Sequence, residues 1–476
     1  MRIKFLGADQ TVTGSKHLIQ VGDYNLLLDC GLHQGRRKES NELNKNFPFP
    51  VDKINAVILS HAHLDHCGML PILVREGFAG KIYCTAATAD IAKFILKDSA
   101  MIQEQDCRYY NKHLKPGETP IKPIYTEKDA KKTFSYFEAI PYFRLSNQWT
   151  QLNENIRFKF YDAGHILGSA ITLLEIKDEG ETLQHGSGQV KRLAFTGDLG
   201  RDFLPILRAP EFIKEPAETL IMESTYGNRI HRPITDLEGD LKNIVNEAVN
   251  KKSKIIVPAF SLGRTQELIY ILHKLIDQKD IPTLPIFIDS PLAQKITRVF
   301  QTYTNDFDEE FWQDFGEKGK KAFLFDNLIT TNSIQESKSI NDKLGPLIVI
   351  AGSGMAEGGR ILHHLKNNIG NQNSIILITG YQAENTLGRK IVEGVSPVKI
   401  FGQEYDVKAK IIILNELSAH ADQKDLLNYV ESMKGLNKIF LVHGEMPEAL
   451  AFKEVVQKTH PSVSIDIPSF GQEFEI

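Results

Sequence analysis

The sequence is poor in cysteine and spaces none of it as a pair. Cys30, Cys67, Cys84 and Cys107 are the only four in 476 residues, and no CxxC or regular framework joins them. A disulfide scaffold is not needed at this length, which fits a reducing compartment, and the four read as small buried side chains or idle thiols. Long apolar runs are absent too. None approaches the roughly 18 residues of a membrane span, so no membrane partner is expected. The N-terminal segment Met1–Gly7 alternates like a strand and ends in glycine, unlike a signal peptide. These absences point to a soluble, cytoplasmic protein. Charge of one sign is also lacking: the formal net charge is -4. The chain is not a polycation, so a polyanionic partner requires positive potential confined to a groove or supplied by metal ions. No internal repeat or low-complexity stretch stands out.

What is present divides into two rhythms. Short strands come first, predicted at Ile3–Leu6, His17–Val21, Asn25–Asp29 and Ala56–Ser60, with helices at Gly68–Glu76 and Thr88–Met101. Strands return at Ile156–Tyr161, Ile171–Ile176, Leu193–Thr196 and Thr219–Met222. Residues 103–150 are polar and carry no clear period, and residues 177–190 read as a hairpin loop with an exposed His185. After Tyr226, strands alternate with helices (Lys254–Pro258, Arg264–Lys274, Pro285–Ile288, Leu347–Ala351, Arg360–Asn367, Ile375–Thr379). That alternation predicts a parallel α/β domain. A last stretch after Leu417 returns to the first domain, so one domain is interrupted by another.

The strongest local signal is His61-Ala62-His63-Leu64-Asp65-His66. At this composition about 0.002 such matches are expected by chance in a chain of this length. Imidazole nitrogens suit zinc, and a carboxylate adds a hard, anionic ligand. The motif follows the apolar strand AVILS, so its side chains fan out from that strand's carboxyl end. Four such groups crowd a single tetrahedral ion, whereas His61/His63 and Asp65/His66 suit two. His165 (Asp162-Ala163-Gly164-His165), Asp198 (Thr196-Gly197-Asp198) and His443 (Val442-His443-Gly444-Glu445) also end apolar strands beside glycine, which lets backbone pack close to a crowded site.

These residues carry a resemblance. HAHLDH, DAGHILGS and TGD, in that order, resemble the metallo-β-lactamase superfamily, and Asp29 in LLLDCG resembles its first motif, an aspartate that orients the metal site. Glu223-Ser224-Thr225, His420 in LSAHAD and His443 in VHGE resemble motifs A, B and C of the β-CASP group, which includes RNase J and the endonuclease subunit of the pre-mRNA 3′-end cleavage factor. The resemblance implies an α/β fold: an αββα metallo-β-lactamase sandwich with an inserted parallel α/β β-CASP domain. Its expected boundaries are 1–226 and 416–476 for the sandwich and 227–415 for the insert. It implies two Zn2+ per chain, one held by His61, His63 and His165, the other by Asp65, His66 and His443, with Asp198 bridging. It implies hydrolysis of RNA phosphodiesters, by endonucleolytic or 5′-exonucleolytic cutting, in RNA processing or decay. His420 would be the general acid, Glu223 its hydrogen-bonded partner, and Asp65 and Asp198 part of the catalytic set. Histidine at motif C resembles the RNA-processing members rather than the DNA-acting Artemis-like branch. Homo-oligomerisation is left open.

The insert offers glycine-flanked strand ends that suit phosphate. Ser261 and Arg264 in Phe260-Ser261-Leu262-Gly263-Arg264 precede a helix whose N-terminus attracts anions. Ser353, Gly354 and Arg360 repeat the theme, and these five are the expected RNA-phosphate contacts. Asp289-Ser290-Pro291 and Gly380-Tyr381-Gln382 are expected to line the same cleft. Basic clusters at Arg36–Lys38, Lys251-Lys252 and Lys318–Lys321 read as solvated surface, and His363 and His364 as residues of an exposed helix. Two rival functions share this metal core: a small-ester or thioester hydrolase, which has no evident use for the insert, Glu223 and His420, and a non-catalytic scaffold, which predicts missing ligands.

Overall fold

Alternating apolar residues build the first compact unit, because in a strand neighbouring side chains face opposite sides. Leu173, Leu220 and Leu441 pack on one side of their sheet, and their neighbours Leu174, Ile221 and Phe440 on the other. The computed structural model of the chain describes residues 1–35, 40, 42–115, 117–177, 190–232, 235–316, 322–380, 382, 385–414 and 418–476. They form two compact units: Met1–Asp202 with Ala209–Ile230 and His420–Ile476, and Phe203–Arg208 with His231–Ala419.

The first unit holds two seven-stranded sheets. One runs Glu473–Glu475, Arg2–Phe5, His17–Val21, Tyr24–Leu28, Ala56–Ile58, Lys81–Cys84, Phe137–Ala139. The other runs Ser464–Asp466, Lys438–Val442, Thr219–Glu223, Val190–Phe195, Ala170–Lys177, Ile156–Asp162, Thr150–Gln151. Ile3, Phe5, Ile19 and Ile58 of the first meet Phe158, Phe160, Leu174 and Phe440 of the second in a shared core. Helices Leu70–Arg75, Ala86–Lys112 and Glu127–Thr133 cover the outer face of the first sheet, and Gln423–Ser432 and Met446–Thr459 that of the second. The result is an αββα sandwich.

The second unit is built on a six-stranded sheet in the order Leu328–Thr330, Ile286–Ile288, Leu347–Ala351, Lys254–Pro258, Ile375–Ile378, Lys410–Ile413. Every neighbouring pair is parallel, and these strands are nearly all apolar, as sheets covered on both faces require. Segment Phe203–Arg208 falls inside the stretch expected of the first domain, yet it packs with the second unit. Leu207 bridges to Phe307, and Asp308 N donates to Ile206 O at 3.0 Å.

Several expectations need correction. The helix expected at Thr88–Met101 runs from Ala86 to Lys112. Its buried residues stop at Ala100, so the second half lacks an apolar stripe although Gln, Glu, Arg and Lys favour the helical state. His364 is fully buried, whereas His363 is exposed as expected. Asp289, read as lining a cleft, is buried as well. Its carboxylate accepts from Arg360 Nη1 at 2.6 Å, His364 Nε2 at 2.7 Å, Ser337 Oγ at 2.5 Å, and Thr331 Oγ1. Lys251 and Lys252 are exposed. Arg36–Lys38, Lys318–Lys321, Tyr381 and the loop with His185 lie outside the described residues.

Two stability predictions follow from this packing. Phe440 lies between the sheets with ring centroids 4.9 Å from Phe5 and 4.7 Å from Phe474. Phe440→Ala should cost about 3–5 kcal/mol in denaturant unfolding. Asp289 behaves differently because burial disfavours its charge, while His364, Ser337, Thr331 and Arg360 outweigh burial and hold the carboxyl below its ordinary range. A depressed folded pKa means stability that is present above the unfolded value, about 3.9, and lost as pH falls below it. Asp289→Ala should destabilise by about 3–5 kcal/mol near neutrality, and the deficit against wild type should shrink in acid.

Candidate metal centre

The site lies where strands of the first unit release the chain. After Ala56–Ile58 comes the His61–His66 segment, in which His63 is the N-cap of the short helix Leu64–Cys67. Ile156–Asp162 leads to His165, Val190–Phe195 to Asp198, and Lys438–Val442 to His443. Thr219–Glu223 ends on Glu223 itself, and His420 precedes Asp422, the N-cap of Gln423–Ser432.

These side chains converge. One ligand atom each from His61, His63, His165 and Asp198 lies within 4.8 Å of all the others, and so it is for Asp65, His66 and His443. Asp198, His420 and His443 make a third such group. Asp198 Oδ2 is 3.4 Å from His61 Nε2, 3.3 Å from His66 Nε2 and 3.6 Å from His165 Nε2, while Oδ1 is 3.5 Å from His443 Nδ1. His443 Nε2 lies 3.6 Å from Asp65 Oδ2. His66 Nε2, His443 Nε2 and Asp198 Oδ1 are buried and near these charges, yet make no hydrogen bond among the described residues. Buried polar atoms normally pair. His63 Nδ1 does lie 3.0 Å from His61 Nε2 and 3.3 Å from His165 Nε2, but the atoms left without a partner crowd together in the way that a shared cation satisfies.

Protonation tendencies of His61 and His63 agree with that fit, whereas at His66 Asp198 and Asp29 outweigh burial and raise the pKa well above the ordinary histidine value. Burial, reinforced by neighbouring His66, holds His61 well below the ordinary histidine value, and burial takes His63 down to about 4. Both imidazoles are therefore neutral donors. Burial opposes charge on Asp198, but the surrounding histidines keep its carboxyl ionised. A set of imidazole nitrogens and carboxylate oxygens without thiolate suits zinc.

Hydrogen bonds aim the donors. Asp29, at φ 58°, accepts from His66 Nδ1 at 2.7 Å, Ser60 N at 2.8 Å and Ser60 Oγ at 2.9 Å. His66 is thereby set to present Nε2 inward. Glu223 is fully buried and accepts from Leu199 N at 2.6 Å, and each of its oxygens lies 3.1 Å from His420 Nδ1. Burial disfavours a charged His420, yet the Glu223 carboxylate raises its pKa to about 9. The His420 ring stands 4.5 Å from that of His165 and remains partly open to solvent.

Three family descriptions match along the chain: the metallo-β-lactamase superfamily at residues 14–259, the β-CASP domain at 265–391, and the Zn-dependent metallo-hydrolase RNA specificity domain at 404–468. The chain belongs to the β-CASP group of the metallo-β-lactamase superfamily. It is 32% identical to a ribonuclease of Thermus thermophilus, over 98% of each chain. It is 31% identical to an RNase J-like protein of Methanocaldococcus jannaschii, over 98% of this chain and 97% of that one. It is also 31% identical to the transcription termination factor FttA of that organism, over 96% of this chain and 69% of the relative. A crystal structure of an Enterococcus faecalis protein of unknown function matches with a TM-score of 0.57 over 99% of both chains at 13% identity, a likeness of fold.

In this β-CASP protein several supporting residues escaped sequence reasoning. Ser60 links Asp29 to the histidine loop. Ser169 Oγ accepts from His165 N at 3.1 Å. Ser224 Oγ donates to Val442 O at 3.0 Å, and Thr225 Oγ1 to His443 O at 2.9 Å, so motif A holds motif C in place. Ser169, Ser224 and Thr225 stood inside motifs without a role assigned to them, and Ser60 directly before one. Gly31 shows how tightly the loop is packed, because a Cβ there would lie 1.6 Å from Asp65 O.

The five residues expected at RNA phosphates lie in the second unit, past the carboxyl ends of its strands. Ser261 Oγ is 3.1 Å from Ser290 Oγ, and Gly354 lies beneath the Phe260 ring. Ser353 Oγ accepts from Glu357 N at 3.0 Å and Gly358 N at 3.3 Å. Arg264 Nη1 pairs with Glu267 at 2.6 Å, and Arg360 with Asp289. Both guanidiniums thus spend part of their donor capacity inside the unit.

Asp29→Asn tests the aiming of His66. Zinc affinity should fall about 10–100-fold in chelator competition while the circular dichroism spectrum is kept. Unchanged affinity would remove Asp29 from the metal site.

Proposed function

We propose that this chain is a zinc-dependent ribonuclease that hydrolyses RNA phosphodiesters with two metal ions. His61, His63 and His165 would hold one, Asp65, His66 and His443 the other, and Asp198 would bridge. A bound pair of this kind supplies hydroxide at neutral pH and neutralises charge on a phosphoryl oxygen.

The observation that carries the reading is the His420–Glu223 pair beside the ligand cluster. Hydrolysis leaves a ribose oxygen that must gain a proton. Glu223 holds Nδ1–H of His420 and so turns Nε2, with its proton, outward as general acid. A thioesterase has less need for that proton, because a thiolate is a far weaker base than a ribose alkoxide.

RNA is favoured over DNA by histidine at position 443, by the RNA specificity domain matched at 404–468, and by relatives named as ribonucleases. Ser261, Arg264, Ser353, Gly354 and Arg360 remain the proposed phosphate contacts, through hydroxyl, backbone and the remaining guanidinium donors. Among the described residues, no helix is long and apolar enough to cross a membrane. Free thiols at Cys30, Cys67 and Cys84, all buried, support a reducing, cytoplasmic setting.

The test is cleavage of a 5′-labelled structured RNA by the zinc-loaded protein. His420→Ala should lower kcat about 10²–10⁴-fold with zinc content and KM kept, and Glu223→Gln should move kcat in the same direction by less. Near wild-type kcat in His420→Ala would overturn the assignment. Thioesterase activity without any RNA cleavage would overturn the function.

A further inference from the structure

The helix Ala86–Lys112 ends in a feature that the metal site does not use. Its first residues belong to the active region: Thr85 Oγ1 and Thr88 Oγ1 both donate to Gly168 O, at 2.7 and 2.8 Å, in the loop that carries His165. At 1.5 Å per residue, Tyr109 lies roughly 35 Å along the helix from that start. There Met101, Gln105, Arg108, Tyr109, Lys112 and His113 follow one another at helical spacing, and all are exposed. The Tyr109 side chain is 63% exposed, an uncommon display for so large a ring.

This end is built. Asn111 clasps the returning chain, with Nδ2 donating to Ile121 O at 2.9 Å and Oδ1 accepting from Ile121 N at 2.8 Å. Gln103 Oε1 accepts from Ile124 N at 3.0 Å, and Glu104 Oε1 from Glu127 N at 2.9 Å. His113 Nδ1 donates to Tyr109 O at 2.7 Å, and the two rings stand 4.5 Å apart. Tyr109 is therefore held by His113 and, edge-on, by Tyr110 at 5.7 Å, with most of its surface in solvent. Arg108 and Lys112 on the same helix, and Lys115 just past its end, are exposed and make no side-chain ion pair among the described residues. Of the nearby carboxylates, Glu104 accepts from Glu127 N and Glu118 from Lys115 N, while Asp106 is exposed on the same helix as Arg108 and Lys112.

We propose that this helix end is a second RNA-binding site, in which a base of a single strand stacks on Tyr109 while Arg108, Lys112 and Lys115 take the flanking phosphates. Stacking on an exposed ring inside a basic surface is the sequence-tolerant mode of single-strand binding. The chemistry discriminates among partners, since an apolar protein surface would bury the ring but leave the cations unmatched. The inference rests on the ribonuclease reading, and it adds a length requirement. At about 3.4 Å per stacked nucleotide, the span from the helix start to Tyr109 takes on the order of ten nucleotides. Only longer substrates can reach both places.

The experiment compares wild type, Tyr109→Ala, Tyr109→Phe and the double variant Arg108→Glu/Lys112→Glu, all zinc-loaded, on oligouridylates of about 30 and about five nucleotides. For the long substrate, KM should rise about five- to tenfold in Tyr109→Ala and more in the double variant, with kcat unchanged. Tyr109→Phe should behave as wild type, and the short substrate should not distinguish the four. The double variant should also show a shallower salt dependence of binding. A long-substrate KM within twofold of wild type in Tyr109→Ala overturns the proposal. So does a variant that loses self-association while its RNA affinity is kept. If wild type cuts neither RNA, the ribonuclease reading fails separately, and fluorescence anisotropy of the labelled long oligouridylate with chelated protein still decides the site: weaker binding by Tyr109→Ala supports it, equal binding overturns it.

Discussion

Seven buried or half-buried imidazole and carboxylate groups facing one another constrain this protein more than any other feature. Desolvated charges and lone pairs at 3.3–3.6 Å without hydrogen-bond alignment are costly unless a cation balances them. His61, His63, Asp65, His66, His165, Asp198 and His443 come from four separate segments, and the surrounding sandwich holds them against their mutual preference for water. Such an arrangement persists because the cores on both faces of each sheet leave its strand ends little freedom.

Support for the centre is itself layered. Asp29 settles which nitrogen of His66 points inward, Ser60 ties that aspartate to the histidine loop, and Ser224 and Thr225 hold the backbone at His443. Glu223 does for His420 what Asp29 does for His66, but at a residue that stays partly open to solvent. One device, a buried carboxylate gripping an imidazole nitrogen, thus serves two purposes: aiming a lone pair in one case and a proton in the other. The second unit repeats it once more. Asp289 grips His364 and Arg360 there, in a network that holds the unit together.

The long helix links the centre to the surface. Its first turns bond to the His165 loop, and its far end carries aromatic and basic side chains into solvent. One continuous helix thus spans from the candidate metal centre's loops to an exposed surface.

The sequence by itself determined the metal ligands as candidates, the two fold rhythms and the order of the motifs. A histidine cluster behind an apolar strand is rare by chance, and period-two patterning is written locally. It could not tell that His364 and Asp289 are buried, because a histidine or aspartate beside a helix looks the same whether its partner is water or a residue 75 positions away. Nor could it read residues 103–112 as helix, because a segment with one packed edge and three solvated faces carries little apolar period. The Glu223–His420 pairing across 197 residues was implied only by the family resemblance, whereas the partners of Asp289 were decided by tertiary packing alone, since hydrogen-bond partners are chosen by distance in space.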